Sequence, residues 1–222
     1  MSLSDDFNAR FAEVFAPLGF RKRARGYFFR KVEPGVQAGL FMPLSHDVET
    51  GESGVIPSVG VRHDPVELLL KKYFLDKQFA KSTNLTLAAP LYAPEPGAQT
   101  VWYMGNAADV ARTVDEFVSL YEQRGVPFVE RYADPLEVCR TLRADLEWDG
   151  GPRSAAGLVL AALHDPAGGG AELAADAVKA LGAGAVPRGE RLAGLLLALA
   201  EETELELTAE QAASLRALAG RS

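Results

Sequence analysis

Residues 17–35 read PLGFRKRARGYFFRKVEPG, and this stretch decides how the N-terminal half of the chain folds. Pro17 and Gly19 end a helix whose apolar residues recur at intervals of three and four, the period of one helix face. Residues 26–32 are rich in aromatic and β-branched side chains, which favours a strand, and the EPG that follows is typical of a turn. A second apolar run begins at Val36. The stretch therefore predicts a helix followed by a β-hairpin.

Strands and helices continue to alternate beyond the hairpin. A third strand is predicted at 55–61, and a helix at 65–79 begins after Asp64, which can accept backbone N–H bonds as an N-cap. Glu67, three residues later, completes the pattern of a capping box. Two further strand patterns are separated by turn-forming residues and predict a second hairpin, at 85–89 and 100–104.

The clearest helical pattern of the chain begins after Asn106 and is stopped by Gly125 and Pro127. The order of elements up to this point indicates an α+β fold, with a mainly antiparallel sheet and flanking helices.

The composition changes after residue 133. Aromatic residues almost vanish, and only helical patterns remain, at 136–146, 154–164, 171–181, 189–202 and 209–219. We therefore predict two domains, an α+β domain at 1–133 and an Ala/Leu-rich helical-hairpin extension at 134–222. The extension is acidic, because it carries 8 Lys and Arg against 14 Asp and Glu, a net charge of −6.

Composition and charge narrow the class of protein. Of the 222 residues 48% are hydrophobic, which is enough to form a buried core, and the net charge of −7 opposes general binding of polyanions. The single cysteine, Cys139, excludes an intramolecular disulfide and is typical of a reducing compartment. The N-terminus lacks the basic and continuous apolar regions of a signal peptide, and the most apolar run, at 192–200, is about half of a membrane span. We expect a cytoplasmic protein that is not bound to a membrane and uses no cofactor.

Six cations fall close together in the opening stretch: Arg21, Lys22, Arg23, Arg25, Arg30 and Lys31. The first four are predicted to lie in the connection between the first helix and the first strand, a position that is usually exposed. The simplest interpretation is a solvated corner, and the alternative is a local anion site or a docking patch for an acidic partner. Nucleic-acid binding is less favoured, because it normally accompanies a basic balance over the whole domain.

Each of the three histidines precedes an aspartate, as His46–Asp47, His63–Asp64 and His164–Asp165. Imidazole and carboxylate both bind divalent ions, so a metal-dependent enzyme is one interpretation. The latter two aspartates precede proline, where aspartate initiates turns and caps helices without a metal. The first pair lies in a polar loop at 45–54, but no spacing on a regular element makes the ligands converge, so we expect no metal site.

Nucleophilic catalysis finds little support in the sequence. Cys139 lies on the apolar stripe of its helix, where a cysteine acts as a small hydrophobic residue rather than a thiolate. Neither a G-x-S-x-G motif nor a phosphate-binding glycine loop is present.

The run FAEVFAPLGFRKRARGYFFRKVEPGVQAGLFMPLS, with PSVGVRHDPVE after it, resembles the start of a bacterial family catalogued as domain of unknown function 4304. The shared pattern is an amphipathic helix ending in LGF, the phrase RKRARGYFF, the apolar strand AGLFMPL and the strand IPSVGV. The later helix, followed by GVPFVERYADP, is similar to the end of the family's pattern, so the resemblance covers the N-terminal two thirds of the chain. It implies an α+β fold and carries over no catalytic residue. Related small families often act as immunity or accessory proteins that bind another protein.

Three functions follow, in this order of preference. The first is a non-catalytic module, of the immunity or accessory type, whose acidic surface binds a protein partner. The second is an enzyme or small-ligand receptor with a site near the 45–54 loop, in which His46, Asp47 and His63 are the candidate groups. The third is local nucleic-acid binding through the basic stretch.

Overall fold

The computed structural model describes residues 2–46, 53–74, 84–92, 100–144, 151–187 and 189–220. Its fold class is α+β with a helical C-terminal part, as the sequence predicts. Within the described residues, no helix is both long and apolar enough to cross a bilayer.

The chain forms two compact units, and both are built from two separate segments. The first unit is Met1–Arg62 with Leu87–Ala133, and the second is His63–Thr86 with Asp134–Ser222. The predicted domains assigned all of 1–133 to the α+β part, whereas the structure groups residues 63–86 with the C-terminal helices. The reason is that the helix beginning at Asp64 packs on helices from the C-terminal segment.

The first unit contains two sheets and the helices that cover them. Its elements are α1 (Leu3–Phe15), β1 (Arg21–Ala24), β2 (Tyr27–Glu33), β3 (Val36–Phe41), β4 (Leu44–His46), β5 (Ser53–Val55), β6 (Ser58–His63), β7 (Leu87–Pro90), β8 (Trp102–Met104), α3 (Ala107–Leu120) and α4 (Val126–Tyr132). The larger sheet has the strand order β1-β2-β3-β6-β7, and the smaller has the order β4-β5-β8.

The hairpin predicted from the opening stretch is confirmed, since β2 and β3 pair antiparallel with Phe28 opposite Leu40. Residues 21–24 are not a connection, however. They form β1, which pairs antiparallel with β2 and contains a register shift between Lys22 and Ala24. Charged side chains and a bulge are both common at the edge of a sheet, where only one side of the strand is paired.

Two other strand predictions are wrong in their pairing. The run predicted as one strand at 55–61 is divided at Pro57, so that β5 joins the smaller sheet and β6 the larger. The predicted second hairpin does not form, because β7 pairs with β6 while β8 pairs with β5. Proline lacks the N–H of a ladder bond, which explains the division at this residue.

Phenylalanine side chains of α1 form the core of the first unit. Phe7, Phe11 and Phe15 are fully buried, and burying one such side chain contributes about 2 kcal/mol. Phe11 lies 4.6 Å from Phe28 of β2 between ring centroids, and Phe7 meets Phe117 of α3 edge to face. The apolar stripe predicted from the sequence therefore joins α1 to the sheet and to α3.

The helix predicted to stop at Gly125 instead continues. A π-helical turn at Tyr121–Gly125 connects α3 to α4. Pro127 lies in the first turn of α4, where a helix needs no N–H from that residue, so it starts the next segment rather than ending the helix.

The second unit is helical. Its elements are α2 (Asp64–Tyr73), α5 (Pro135–Ala144), α6 (Pro152–His164), a π-helical turn (Pro166–Gly170), α7 (Ala171–Gly182), α8 (Gly189–Glu202) and α9 (Ala209–Ala219). Residues 154–162 of α6 are all buried, which makes α6 the central helix of this unit. Thr208 and Gln211 form a capping box at the start of α9, since the Thr208 side chain accepts from the N–H of Gln211.

Candidate functional site

The four cationic residues at 21–25, which the sequence analysis names as candidate binding residues, lie on and just after β1, an edge strand of the larger sheet. All four side chains of β1 are exposed, and so is Arg25 in the turn that follows. We call residues 21–25 the basic edge. An edge strand pairs on one side only, so its outer N–H and C=O groups are available to another extended segment.

Two arginines of the basic edge form hydrogen bonds with α1 or with the residues just after its C-terminal end. Arg21 donates to the carbonyls of Ala16 and Phe20, at 3.2 and 3.0 Å, where a cation complements the negative end of the helix. Arg25 donates to the hydroxyl of Ser4 at the start of the same helix. Both side chains are therefore exposed but held in place.

The remaining two cations of the basic edge differ in their contacts. The guanidinium of Arg23 lies over the ring of Phe29, 4.3 Å from its centroid, and donates to Oε1 of Gln37 at 2.7 Å. Lys22 makes neither a hydrogen bond nor an ion pair with any residue in the described ranges. The edge thus combines positioned guanidinium groups with one exposed ammonium group.

The turn between β1 and β2 is fixed by two buried bonds at Gly26, whose φ is +73°. Its N–H donates to Oδ1 of buried Asn8 at 3.1 Å, and its carbonyl accepts from the N–H of Met42 at 2.8 Å. A Cβ at this position would lie 2.6 Å from the carbonyl oxygen of Met42. Glycine is required here, and the turn sets the place of Arg25.

Arg30 is separated from the basic edge, because it points to the opposite face of β2 from Phe29. It is half-buried, and its guanidinium carbon lies 5.5 Å from the ring centroid of Phe20 and 5.8 Å from that of Tyr121. Burial raises the pKa of the Tyr121 phenol, although the charge of Arg30 acts in the opposite direction. No pattern in the sequence predicted Tyr121 as a neighbour of Arg30.

His63 is buried at the end of β6, with only 3% of its surface exposed. Its backbone N–H donates to the hydroxyl of Thr86 at 3.0 Å, and that hydroxyl donates to Oε1 of buried Glu67 at 2.9 Å. Glu67 therefore does not close the predicted capping box. The N-cap of α2 is His63 rather than Asp64, and no side chain caps the helix. This buried chain of bonds holds the start of α2 to Thr86.

The two remaining candidates of the 45–54 loop, His46 and Asp47, cannot be placed relative to His63. His46 ends β4, but the position of its side chain and all of Asp47 lie outside the described residues. Within the described ranges there is no group of three or more His, Cys, Asp or Glu residues that could hold a metal ion.

Cys139 is buried, as its place on the apolar stripe predicts. Its Sγ lies 3.8 Å from the carbonyl oxygen of Gly157 in α6, and burial raises the pKa of the thiol. A buried thiol with a raised pKa is a poor nucleophile.

An open groove of about 610 Å³ lies in the helical unit between the end of α8 and the start of α7. It is lined by Pro166, Ala167, Ala171, Ala200, Thr203, Glu204, Leu205 and Glu206. Glu204 and Glu206 are exposed and form no ion pair within the part of the chain that the structure describes. The acidic composition of the extension pointed to such a surface, but not to its position.

The chain matches no protein-family model, no curated protein and no solved structure. The resemblance to the family of unknown function accordingly stays a prediction.

Proposed function

We propose that this protein is a non-catalytic module that binds an acidic, extended segment of a protein partner along the basic edge. The observation that carries this proposal is an edge strand whose four side chains are all exposed and of which three are cationic. The outer backbone groups of such a strand pair with an added strand, and its cations select an acidic one.

The contacts of the arginines support a binding role beyond solvation. Three of them are already held by hydrogen bonds to neighbouring groups, at Arg21, Arg23 and Arg25. Ordering a long side chain on binding costs about 0.5–1.5 kcal/mol, so groups that are held beforehand lose less. Lys22 adds a charge that no described residue neutralises.

Nucleic-acid binding is the competing use of the same residues. A phosphate backbone presents many charges in a row, and its affinity grows with the number of cations it meets. The basic edge is short, Arg30 lies on the other face of β2, and the chain carries a net charge of −7. These features favour a short acidic peptide over a polyanion.

The groove in the helical unit favours a second candidate, a basic segment of a protein partner. Its alanine, proline and leucine side chains and its two carboxylates, Glu204 and Glu206, match a segment that carries both apolar residues and Lys or Arg. This candidate keeps the acidic binding surface expected from the sequence and uses these two carboxylates for it.

The proposal includes a cytoplasmic setting in a bacterium and membership of the resembled family. The single, buried cysteine supports the reducing compartment, and the LGF and RKRARGYFF phrases support the family.

The test is a capture experiment with four forms of the full chain. They are wild type, the edge variant Lys22→Glu/Arg23→Glu, the groove variant Glu204→Lys/Glu206→Lys and the control Lys71→Glu/Arg153→Glu. Each is incubated with lysate of the source cell, with and without nuclease treatment. The control makes the same change of charge at exposed positions in the other unit. We expect one acidic protein to bind wild type and control but not the edge variant.

The affinity of that protein is then measured by calorimetry at about 50 and 300 mM salt. It should fall with salt, because complementary exposed charges are screened. Equal capture by the edge variant contradicts the proposal. Loss of capture only in Glu204→Lys/Glu206→Lys assigns binding to the groove, and material that disappears with nuclease assigns it to nucleic acid.

A further inference from the structure

Two buried donor atoms in the first unit lack a hydrogen-bond partner. They are Nε of Arg30 and the hydroxyl of Tyr121. Among the described residues, every other buried side-chain nitrogen or oxygen has a hydrogen-bond partner. Buried polar groups are nearly always paired, so each exception calls for an explanation.

The two atoms belong to one cluster of side chains. Tyr121 is 1% exposed, and the guanidinium of Arg30 lies against its ring and that of Phe20. Arginine is a donor only, whereas the tyrosine hydroxyl can donate one bond and can also accept. Neither the Nε–H of Arg30 nor the hydroxyl proton of Tyr121 has an acceptor among the described residues.

The position of Tyr121 is fixed by the backbone beneath it. The residue begins the π-helical turn, and a Cβ on Gly125 would lie 2.8 Å from Cε2 of the Tyr121 ring. Phe15 and Phe20 contact the same ring edge to face, at 5.9 and 5.3 Å between centroids. π-helical turns often occur at functional sites, and this one places a hydroxyl beside a cation.

We propose that Arg30 and Tyr121 form a binding site for a single carboxylate group. The carboxylate accepts one bond from the guanidinium and one from the tyrosine hydroxyl, which are the partners that both donors lack. Arg30 is half-exposed and long, so rotation of its side chain admits the ligand from solvent.

The surroundings favour a carboxylate over a phosphate. A guanidinium matches the oxygens of a carboxylate and of a phosphate equally well, so the charge of the neighbouring groups decides between them. The carboxylate of Glu130 is close enough for its charge to raise the pKa of Tyr121, and the same charge opposes a dianion. The site lies on the other face of β2 from Phe29 and does not depend on the partner proposed above.

The test is an NMR titration of the full chain with sodium acetate against sodium chloride at constant ionic strength. The Arg30 Nε–H resonance reports the site directly. We expect a saturable shift in wild type and in Lys31→Gln, a control that removes a neighbouring charge from an exposed position. Tyr121→Phe should weaken binding by about tenfold, the value of one hydrogen bond to a charged group, and Arg30→Gln should abolish it.

Other outcomes overturn the proposal. If the change in chemical shift stays linear with acetate concentration, or is equal in wild type and Tyr121→Phe, Arg30 and Tyr121 do not form a specific binding site. Tighter binding of inorganic phosphate than of acetate contradicts the choice of a carboxylate. A crystal structure grown in acetate with a water molecule, and no acetate, between the two donors shows that water is the missing acceptor. If Arg30→Gln does not fold, Arg30→Lys keeps the charge without Nε and should bind acetate more weakly than wild type.

Discussion

Replacing Asn8 by alanine should destabilise the first unit strongly, although the residue is a small polar one in a helix. Its Nδ2 donates to the carbonyl of Ser4 at 2.7 Å, and its Oδ1 accepts from the buried N–H of Gly26 at 3.1 Å. Asn8→Ala removes one ordinary hydrogen bond, about 1 kcal/mol, and leaves a buried N–H unsatisfied, which costs about 1–3 kcal/mol. We expect the free energy of unfolding to fall by about 2–4 kcal/mol.

The assay is urea unfolding followed by far-UV circular dichroism and tryptophan fluorescence. Asn106→Ala is the matched control, because Asn106 also accepts backbone N–H bonds but is an exposed N-cap of α3. Its loss should cost about 1 kcal/mol. Asn8→Asp keeps the acceptor for Gly26 and should be milder than Asn8→Ala. If Asn8→Ala costs no more than Asn106→Ala, the buried bond does not fix the turn that carries Arg25.

Three further predictions concern the helical unit. Burial lowers the pKa of His164 below its ordinary 6.5, against the charge of Asp134, so the unfolded chain takes up the proton first as the pH falls. The stability that neutral His164 contributes is complete above its unfolded pKa and is lost on acidification. Between about pH 7.5 and pH 5.5 the Tm of wild type should therefore fall more than that of His164→Gln. Equal decreases in Tm would refute the assignment to His164. Thr86→Val removes the buried donor to Glu67 and should lower the free energy of unfolding in urea by about 3 kcal/mol, whereas a change below about 1 kcal/mol means that the bond is not formed. Cys139 should react slowly with iodoacetamide in the folded protein and rapidly in urea, because burial raises the pKa of its thiol, and fast labelling of the native chain would show an accessible thiolate.

Local patterns in the sequence predicted the elements well. Phe7, Phe11 and Phe15 recur with the helical period, and that stripe is the core face of α1. Helix boundaries after residue 133 fall within two residues of the predicted ones where the structure describes them, because capping and proline signals act locally.

Long-range arrangement was not predictable in the same way. The pairing of β7 with β6 and of β8 with β5 depends on contacts between segments far apart in the chain, which no local pattern encodes. The stretch RKRA was interpreted as a connection because it lies between the first helix and the predicted strand at 26–32. It forms β1 because an edge strand buries little of its side chains.

The candidate sites were predictable only in part. The exposure of residues 21–25 followed from their charge, but their place on an edge strand did not. The neighbourhood of Arg30 and Tyr121 joins residues 91 positions apart, and the π-helical turn that places Tyr121 has no sequence signature beyond Gly125.

Amide hydrogen exchange on the full chain, measured with and without the captured partner, tests partner binding at the basic edge most directly. We expect the added strand to slow exchange at residues 21–25, and Lys22→Glu/Arg23→Glu to remove this protection. Unchanged exchange at 21–25, with protection instead at 200–206, would contradict it and assign partner binding to the groove of the helical unit.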